Sequence, residues 1–127
     1  MEHPKNLRYT RGDLWLREEE DGQLTVGATA WKQDELGEVV HIDLPEVGAA
    51  LHPGQALGVI ESVKSVSELE APCEAHVAQV NEALLEEPSL INSQPYGAGW
   101  IATLRPSTAL NGTLSSEEYA LLRHIEA

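Results

Sequence analysis

Short β-prone runs recur along this chain, and each stops within a few residues at a turn signal. Leu14–Leu16 begins one, which ends in the acidic turn Glu18–Gly22, and Leu24–Gly27 reads as its hairpin partner. Val39–Leu44 is followed by Pro45 and Gly48, and Ala56–Ser62 is preceded by Pro53-Gly54. Val66–Glu70 is broken by Ala71-Pro72, His76–Val80 alternates polar and apolar, and Trp100–Leu104 reads as the last strand. Strands this short and this closely spaced cannot each bury a face alone. They are expected to pair into antiparallel sheets that close as a sandwich or barrel.

Helical signals are few. Residues 30–36 fit a short helix stopped by Gly37, and residues 82–92 fit one or two helical turns. Ser115 and Glu118 have capping-box spacing, and Tyr119, Leu122 and Ile125, joined by Leu121, supply an apolar stripe for a C-terminal helix. Residues 1–12, with Pro4 and Gly12, read as an irregular arm. No repeat, low-complexity tract or linker divides the chain, so residues 1–127 are expected to form one domain.

The 127 residues carry 21 acids against eight Lys and Arg, a formal charge of −13. Nucleic acid and anionic membrane both require a basic face, so neither is an expected partner. Proteins with basic docking surfaces suit this field better, although acids also simply keep a small protein in solution. No apolar run is long enough to cross a membrane, the stretch Met1–Lys5 lacks the apolar core of a secretory signal, and the one cysteine, Cys73, has no partner for an internal disulfide. The expected setting is cytoplasmic, and the expected state is a monomer.

Only three lysines occur, Lys5, Lys32 and Lys64, and Lys64 stands out. In Val59-Ile60-Glu61-Ser62-Val63-Lys64-Ser65-Val66-Ser67-Glu68-Leu69 two β-prone runs meet with the lysine between them. No Gly, Asn or Pro marks a two-residue hairpin turn there. Such a tip projects Lys64 into water, where a compact charge on a flexible stem suits an acylating enzyme. Val63 and Ser65 are small enough to leave it accessible, and Glu61 and Glu68 suit a cationic partner. An ordinary solvated lysine at a turn is the competing interpretation of the local pattern.

Glu61-Ser62-Val63-Lys64 followed by Ser65-Val66-Ser67-Glu68-Leu69 resembles the lipoylation hairpin of the glycine-cleavage H-protein family. Leu44-Pro45-Glu46-Val47-Gly48 resembles that family's preceding segment, and Tyr9-Thr10 with Trp15 its start. Asn81-Glu82-Ala83-Leu84, Pro88, Leu90-Ile91-Asn92 and Pro95–Trp100 resemble its later segment, so the match runs in order over roughly residues 7–105. The resemblance implies two antiparallel sheets in a barrel-like sandwich of the lipoyl/biotinyl-carrier type, with short helices and a C-terminal helix. It implies lipoic acid in amide linkage to Lys64, with Glu61, Val63 and Ser65 as flanking recognition residues. It also implies a carrier rather than an enzyme, whose swinging arm passes a sulfur-bound intermediate between partner enzymes. Those partners are a lipoate ligase or lipoyl transferase, dihydrolipoamide dehydrogenase, glycine decarboxylase and aminomethyltransferase. Biotin carriers typically set their lysine between two methionines, and Val63 and Ser65 depart from that.

Some positions depart from the family's usual pattern. Asp13 and Leu14 stand where it has His and Glu, Ala30-Trp31-Lys32-Gln33 where it has an acid, an aromatic or His, then Ala-Gln, and Pro72-Cys73-Glu74-Ala75 where it has Pro-Val-Ser-Gly. The first two regions line a cleft for the loaded arm in the family. Leu14, Ala30 and Trp31 are expected to make it more apolar, with Asp13 left as one acceptor. Two cargoes therefore stay open: the aminomethyl group of glycine cleavage, and sulfur, as in H-like lipoate-binding proteins that serve sulfur oxidation with heterodisulfide-reductase-like proteins. An unmodified interaction module of the same fold is the alternative of another class. Cys73 is expected to be a buried small residue rather than a redox group. The five histidines show no metal-ligand spacing, and Ser62, Ser65 and Ser67 lack a general base, so neither a metal site nor nucleophilic catalysis is expected.

Overall fold

The structure, a computed structural model, describes residues 3–126, with the backbone alone for Ile125 and Glu126. Strands β1 (Arg8–Tyr9), β2 (Leu14–Glu18) and β3 (Leu24–Ala28) lead into helix α1 (Ala30–Leu36). Then come β4 (Val39–Asp43), β5 (Ala50–Leu51), β6 (Ala56–Ser62), β7 (Val66–Glu70) and β8 (Ala75–Val80). Short helices α2 (Ala83–Glu86) and α3 (Leu90–Ser93) precede β9 (Ala102–Pro106) and the C-terminal helix α4 (Ser116–Glu126). The strands form two antiparallel sheets, one in the order β1-β2-β3-β9-β8-β5 and the other in the order β4-β6-β7.

The mainly β sandwich with short helices and a C-terminal helix is as the sequence predicts. Two short pieces differ. Residues 8–9 of the expected irregular arm pair with β2, Tyr9 opposite Trp15, and Ala50–Leu51 pairs with β8. The last strand begins at Ala102 rather than Trp100.

One core lies between the sheets. Leu14, Leu16 and Val26 of β2 and β3 face Ile42, Ile60 and Leu69 of the smaller sheet, all buried. A second, aromatic cluster holds Tyr9, Trp15 and Tyr119, with Trp31, Tyr96 and Trp100 against it. Trp15 pairs with Gly27, where a Cβ would stand 2.6 Å from the indole, so the bare backbone of Gly27 is what lets the ring lie across β3. The indole Nε1–H donates to Pro95 O at 2.8 Å, which satisfies the one polar atom of that ring.

Helix α4 is started by the predicted capping box. Glu118 N–H donates to Ser115 Oγ (3.1 Å), and Ser115 N–H donates to Glu118 Oε1 (2.9 Å). Its apolar side inserts Tyr119, which stacks on Tyr9 at 4.9 Å between ring centroids, while Leu122 is half-buried and Leu121 exposed. The expected contribution of Ile125 falls outside the described side chains.

Candidate functional site

The β6–β7 hairpin carries Lys64 at its tip. Glu61 pairs with Val66, which leaves Ser62–Ser65 as the loop. Among the described residues Asp13 is the only non-glycine with positive φ, so this loop needs no left-handed residue. Ser62 closes it instead. Its N–H donates to Ser65 O (2.8 Å), and its Oγ lies within reach of the Lys64 and Ser65 N–H groups (3.3 and 3.1 Å). A serine hydroxyl that takes up turn amides replaces the Asn-Gly chemistry that is missing from the sequence.

The tip is also tied sideways. Val63 N–H donates to Glu38 O at 3.0 Å, which fastens the loop to the segment after α1. Asn92 of α3 fixes that segment in turn. Its Oδ1 accepts from Val39 N–H (2.9 Å), and its Nδ2 donates to Gly37 O (2.8 Å) and Gln33 Oε1 (3.0 Å). One side chain thus joins α3, α1 and the start of β4.

Gly37 ends α1 with φ 77° and ψ −158°, a region open to glycine and strained for other residues. Its missing side chain serves the lysine as well. A Cβ at residue 37 would stand 3.3 Å from Lys64 Cε and 3.8 Å from Cδ. The lysine stem therefore lies along the bare backbone of Gly37, a lane that a side chain there would fill, while the residue remains exposed.

The predicted site residues divide around this tip. Lys64, Val63 and Ser65 share it, with Val63 65% exposed. Glu61 sits just below, across from His41 on β4 and Val66 on β7, and Glu68 follows on the same outer face opposite Val59. Sequence reasoning missed Ser62, Gly37 and Asn92 as positioning residues. Ser62 stood in plain view, since a Ser two residues before the lysine is a turn-closing signal. Asn92 gives no such local sign.

The region expected to form the arm's cleft is corrected by the structure. Leu14 is fully buried in the main core, packed inside and not lining any cleft. Asp13 is buried and already engaged, ion-paired with Arg123 and accepting from the Tyr119 hydroxyl at 2.8 Å. Burial pushes the Asp13 carboxyl up, and the Tyr119 hydroxyl and the Arg123 guanidinium oppose that push. Tyr119 Oη is also 2.7 Å from Thr29 Oγ1, the N-cap of α1. Arg123 covers the Trp31 ring at 4.3 Å. These contacts bind α4 to the start of β2 and to α1, and they occupy Asp13 Oδ1.

Cys73 is 3% exposed, and burial pushes its thiol up, away from thiolate character. Among the described residues no three His, Cys, Asp or Glu side chains converge to hold a metal ion. No helix of the described residues is long and apolar enough to cross a membrane.

Comparison with known proteins agrees with this geometry across nearly the whole chain. The family model described as Glycine cleavage H-protein matches residues 7–124. The chain is 45% identical over 119 residues to the glycine cleavage system H protein of Chromobacterium violaceum, covering 92% of this chain and 93% of that one. It is 42% identical over 121 residues to that of Escherichia coli O7:K1, covering 94% of each. The crystal structure of a glycine cleavage system H protein from Mycobacterium marinum superimposes with a TM-score of 0.90 at 35% identity, over 96% of this chain and 99% of that one. The sandwich, the hairpin with its exposed lysine and these full-length similarities place the chain in the glycine cleavage H-protein family.

Proposed function

We propose that this protein is a lipoyl carrier of glycine cleavage, with lipoic acid in amide linkage to the Nζ of Lys64. The observation that carries this is the placement of Lys64: exposed at the tip of a hairpin whose loop is held by Ser62, Glu38 O and, through Gly37, Asn92. The lane over Gly37 supports the fit, because it takes the lysine stem while the residue stays exposed.

When bound, lipoate supplies a dithiolane that cycles between disulfide and dithiol and can hold a fragment on sulfur. The chain itself does less. Lys64 supplies the amine that forms the amide, and the fixed tip presents it to a lipoate ligase or lipoyl transferase. Tethering to one rigid point keeps the local concentration high at each partner's site without a catalytic group on the carrier. Glycine decarboxylase, aminomethyltransferase and dihydrolipoamide dehydrogenase are the proposed partners. The acidic outer face with Glu61 and Glu68 beside the tip suits basic docking surfaces on them.

A second cargo keeps one specific support. On the side of the molecule bearing Asp13, Leu14 and Trp31, Asp13 Oδ1 is taken by Arg123 and Tyr119 and Leu14 lies in the core, which suits an amine less than the neutral cargo of a sulfur-carrying relative working with heterodisulfide-reductase-like proteins.

Intact mass after incubation with lipoate and a lipoate ligase tests the attachment. One added lipoyl mass is expected, absent in Lys64→Arg. An unshifted wild-type mass with a ligase active on another H protein overturns it. Glycine decarboxylation with the loaded carrier and the three partner enzymes then decides the cargo, and absence of turnover removes the aminomethyl assignment.

A further inference from the structure

We propose that the depression on the outer face of the six-stranded sheet, floored by Thr25 and Thr103, binds a zwitterionic α-amino acid, with its carboxylate on Arg17 and its ammonium on Glu19.

Four side chains cross this face in one row. Arg17 of β2 stands opposite Thr25 of β3, Thr25 opposite Thr103 of β9, and Thr103 opposite Gln79 of β8. Their chain neighbours Leu16, Leu24, Val26, Ala102 and Leu104 belong to the core, so strand alternation sends the row outward. The depression has a volume of about 300 Å³, and Glu19 and Trp100 stand at its walls. Lys64 sits on the hairpin of the other sheet, so this site is separate from the root of the arm.

The ion pair at the rim has bonding capacity to spare. Arg17 Nε donates to Glu19 Oε2 at 3.0 Å, and Thr25 Oγ1 donates to the same oxygen at 2.5 Å. The bonds from Thr25 and Arg17 hold the Glu19 carboxyl below the ordinary carboxylate range, so it is charged at neutral pH. Glu19 Oε1 and the two terminal amino groups of Arg17 have no hydrogen-bond partner among the described residues. The guanidinium lies 5.7 Å from the centroid of the buried Trp15 ring, which steadies the fork. Thr103 gives an independent sign of a ligand. It is 8% exposed, it lines the depression, and its hydroxyl meets no partner among the described residues. Buried polar groups are ordinarily bonded, and a ligand in the depression supplies that bond.

Charge selects the ligand. Exposed Glu18, Glu20 and Asp21 in the adjoining turn, in a chain of charge −13, repel a plain anion. A plain cation at Glu19 meets the Arg17 guanidinium beside that carboxylate. A zwitterion carries no net charge and sets its carboxylate and ammonium, one carbon apart, against the Arg17–Glu19 pair in reverse order. A carboxylate on a guanidinium fork also makes two parallel charge-assisted bonds. Trp100, Thr103 and Gln79 are then left to meet the side chain of the ligand.

Nitrogen-15 NMR of the full chain titrated with glycine, L-serine and L-glutamine tests this. Saturable shifts at the Thr25, Thr103 and Gln79 amides and the Trp100 indole are expected with at least one of the three by about 20 mM, the range of a weak small-ligand site. Removing either ligand charge, in the N-acetyl derivative or the α-amide, is expected to weaken binding about ten-fold or more. Arg17→Gln, at a half-exposed side chain, is expected to do the same. The derivatives are titrated against the wild-type chain, so they decide the matter even where the variant is less stable. No saturable shift with any of the three amino acids overturns the site. Derivatives that bind as well as their parents, or Arg17→Gln binding as the wild type does, overturn it too.

Discussion

Asn92 Nδ2 donates to Gly37 O at 2.8 Å while Asn92 Oδ1 accepts from Val39 N–H at 2.9 Å, so one amide side chain brackets the turn on which the lysine hairpin leans. Asn92→Ala removes both bonds and the one to Gln33, and leaves the amide of the buried Val39 without its acceptor. An orphaned buried group costs about 1–3 kcal/mol, which sets the expected loss of stability on urea unfolding. Asn92→Asp keeps the acceptor for Val39 but sets a carboxylate against Gly37 O, so it is expected to recover only part. Equal stability of the alanine variant and the wild type would contradict the bracketing role.

Gly37→Ala tests the other half of that contact. The backbone at φ 77° and ψ −158° strains a residue with a Cβ by about 1–3 kcal/mol, and the Cβ meets the lysine stem at 3.3 Å. Lower thermal stability together with an altered amide shift at Lys64 is the expected pair of results. A stability loss with no change at Lys64 would mean that the glycine serves its own backbone alone.

Ser62→Ala is expected to loosen the tip without unfolding the domain. The hydroxyl is partner to the amides of Lys64 and Ser65, both at the surface, so global stability should fall by no more than about 1 kcal/mol. Amide exchange at residues 64 and 65 should accelerate, and ligase-catalysed loading should slow as the lysine loses its fixed presentation. Unchanged exchange at both amides would show that the hydroxyl does not close the loop.

Much of this was legible because it is local. β6 and β7 have the predicted bounds because two β-prone runs flank the lysine, and α1 stops at Gly37 because a glycine there accepts a positive φ. Strand β5 is two residues held only by β8, so no run of its own announces it. The cleft was misjudged for a different reason. Resemblance carries a position across relatives, but Leu14 is enclosed by the core between the sheets and Asp13 by α4. The hydroxyl on Asp13 comes from Tyr119, 106 residues away, and no local pattern pairs them.

That long-range network predicts its own asymmetry. Asp13→Ala leaves Arg123 with a buried charge and the Tyr119 hydroxyl without one acceptor, and it forces alanine into φ 73°. Removing one member of a buried ion pair costs about 3–5 kcal/mol, and α4 is expected to detach before the sandwich unfolds. Asp13→Asn also removes the charge but keeps an oxygen for Tyr119 and a side chain that tolerates a left-handed backbone, so its loss should be smaller than that of alanine. Urea unfolding followed by tyrosine fluorescence measures both. Similar losses would assign the effect to the charge, which both variants remove, and not to the backbone.

Alkaline pH should weaken the fold in two steps. Burial pushes the Cys73 thiol up, and burial also pushes the Tyr119 hydroxyl well above its ordinary value, with Asp13 beside it adding to the shift. Both groups are neutral when protonated and ionise more readily in the unfolded chain. Their stabilisation is therefore complete below the unfolded values and declines as pH rises toward the folded ones. With unfolded values of about 8.5 for Cys and about 10 for Tyr, the urea midpoint should start to fall above pH ~8.5 and fall more steeply above pH ~10. Cys73→Val removes the first group at similar volume, so its midpoint should stay level to pH ~10 and then drop. A first decline that persists unchanged in Cys73→Val would assign it to another group.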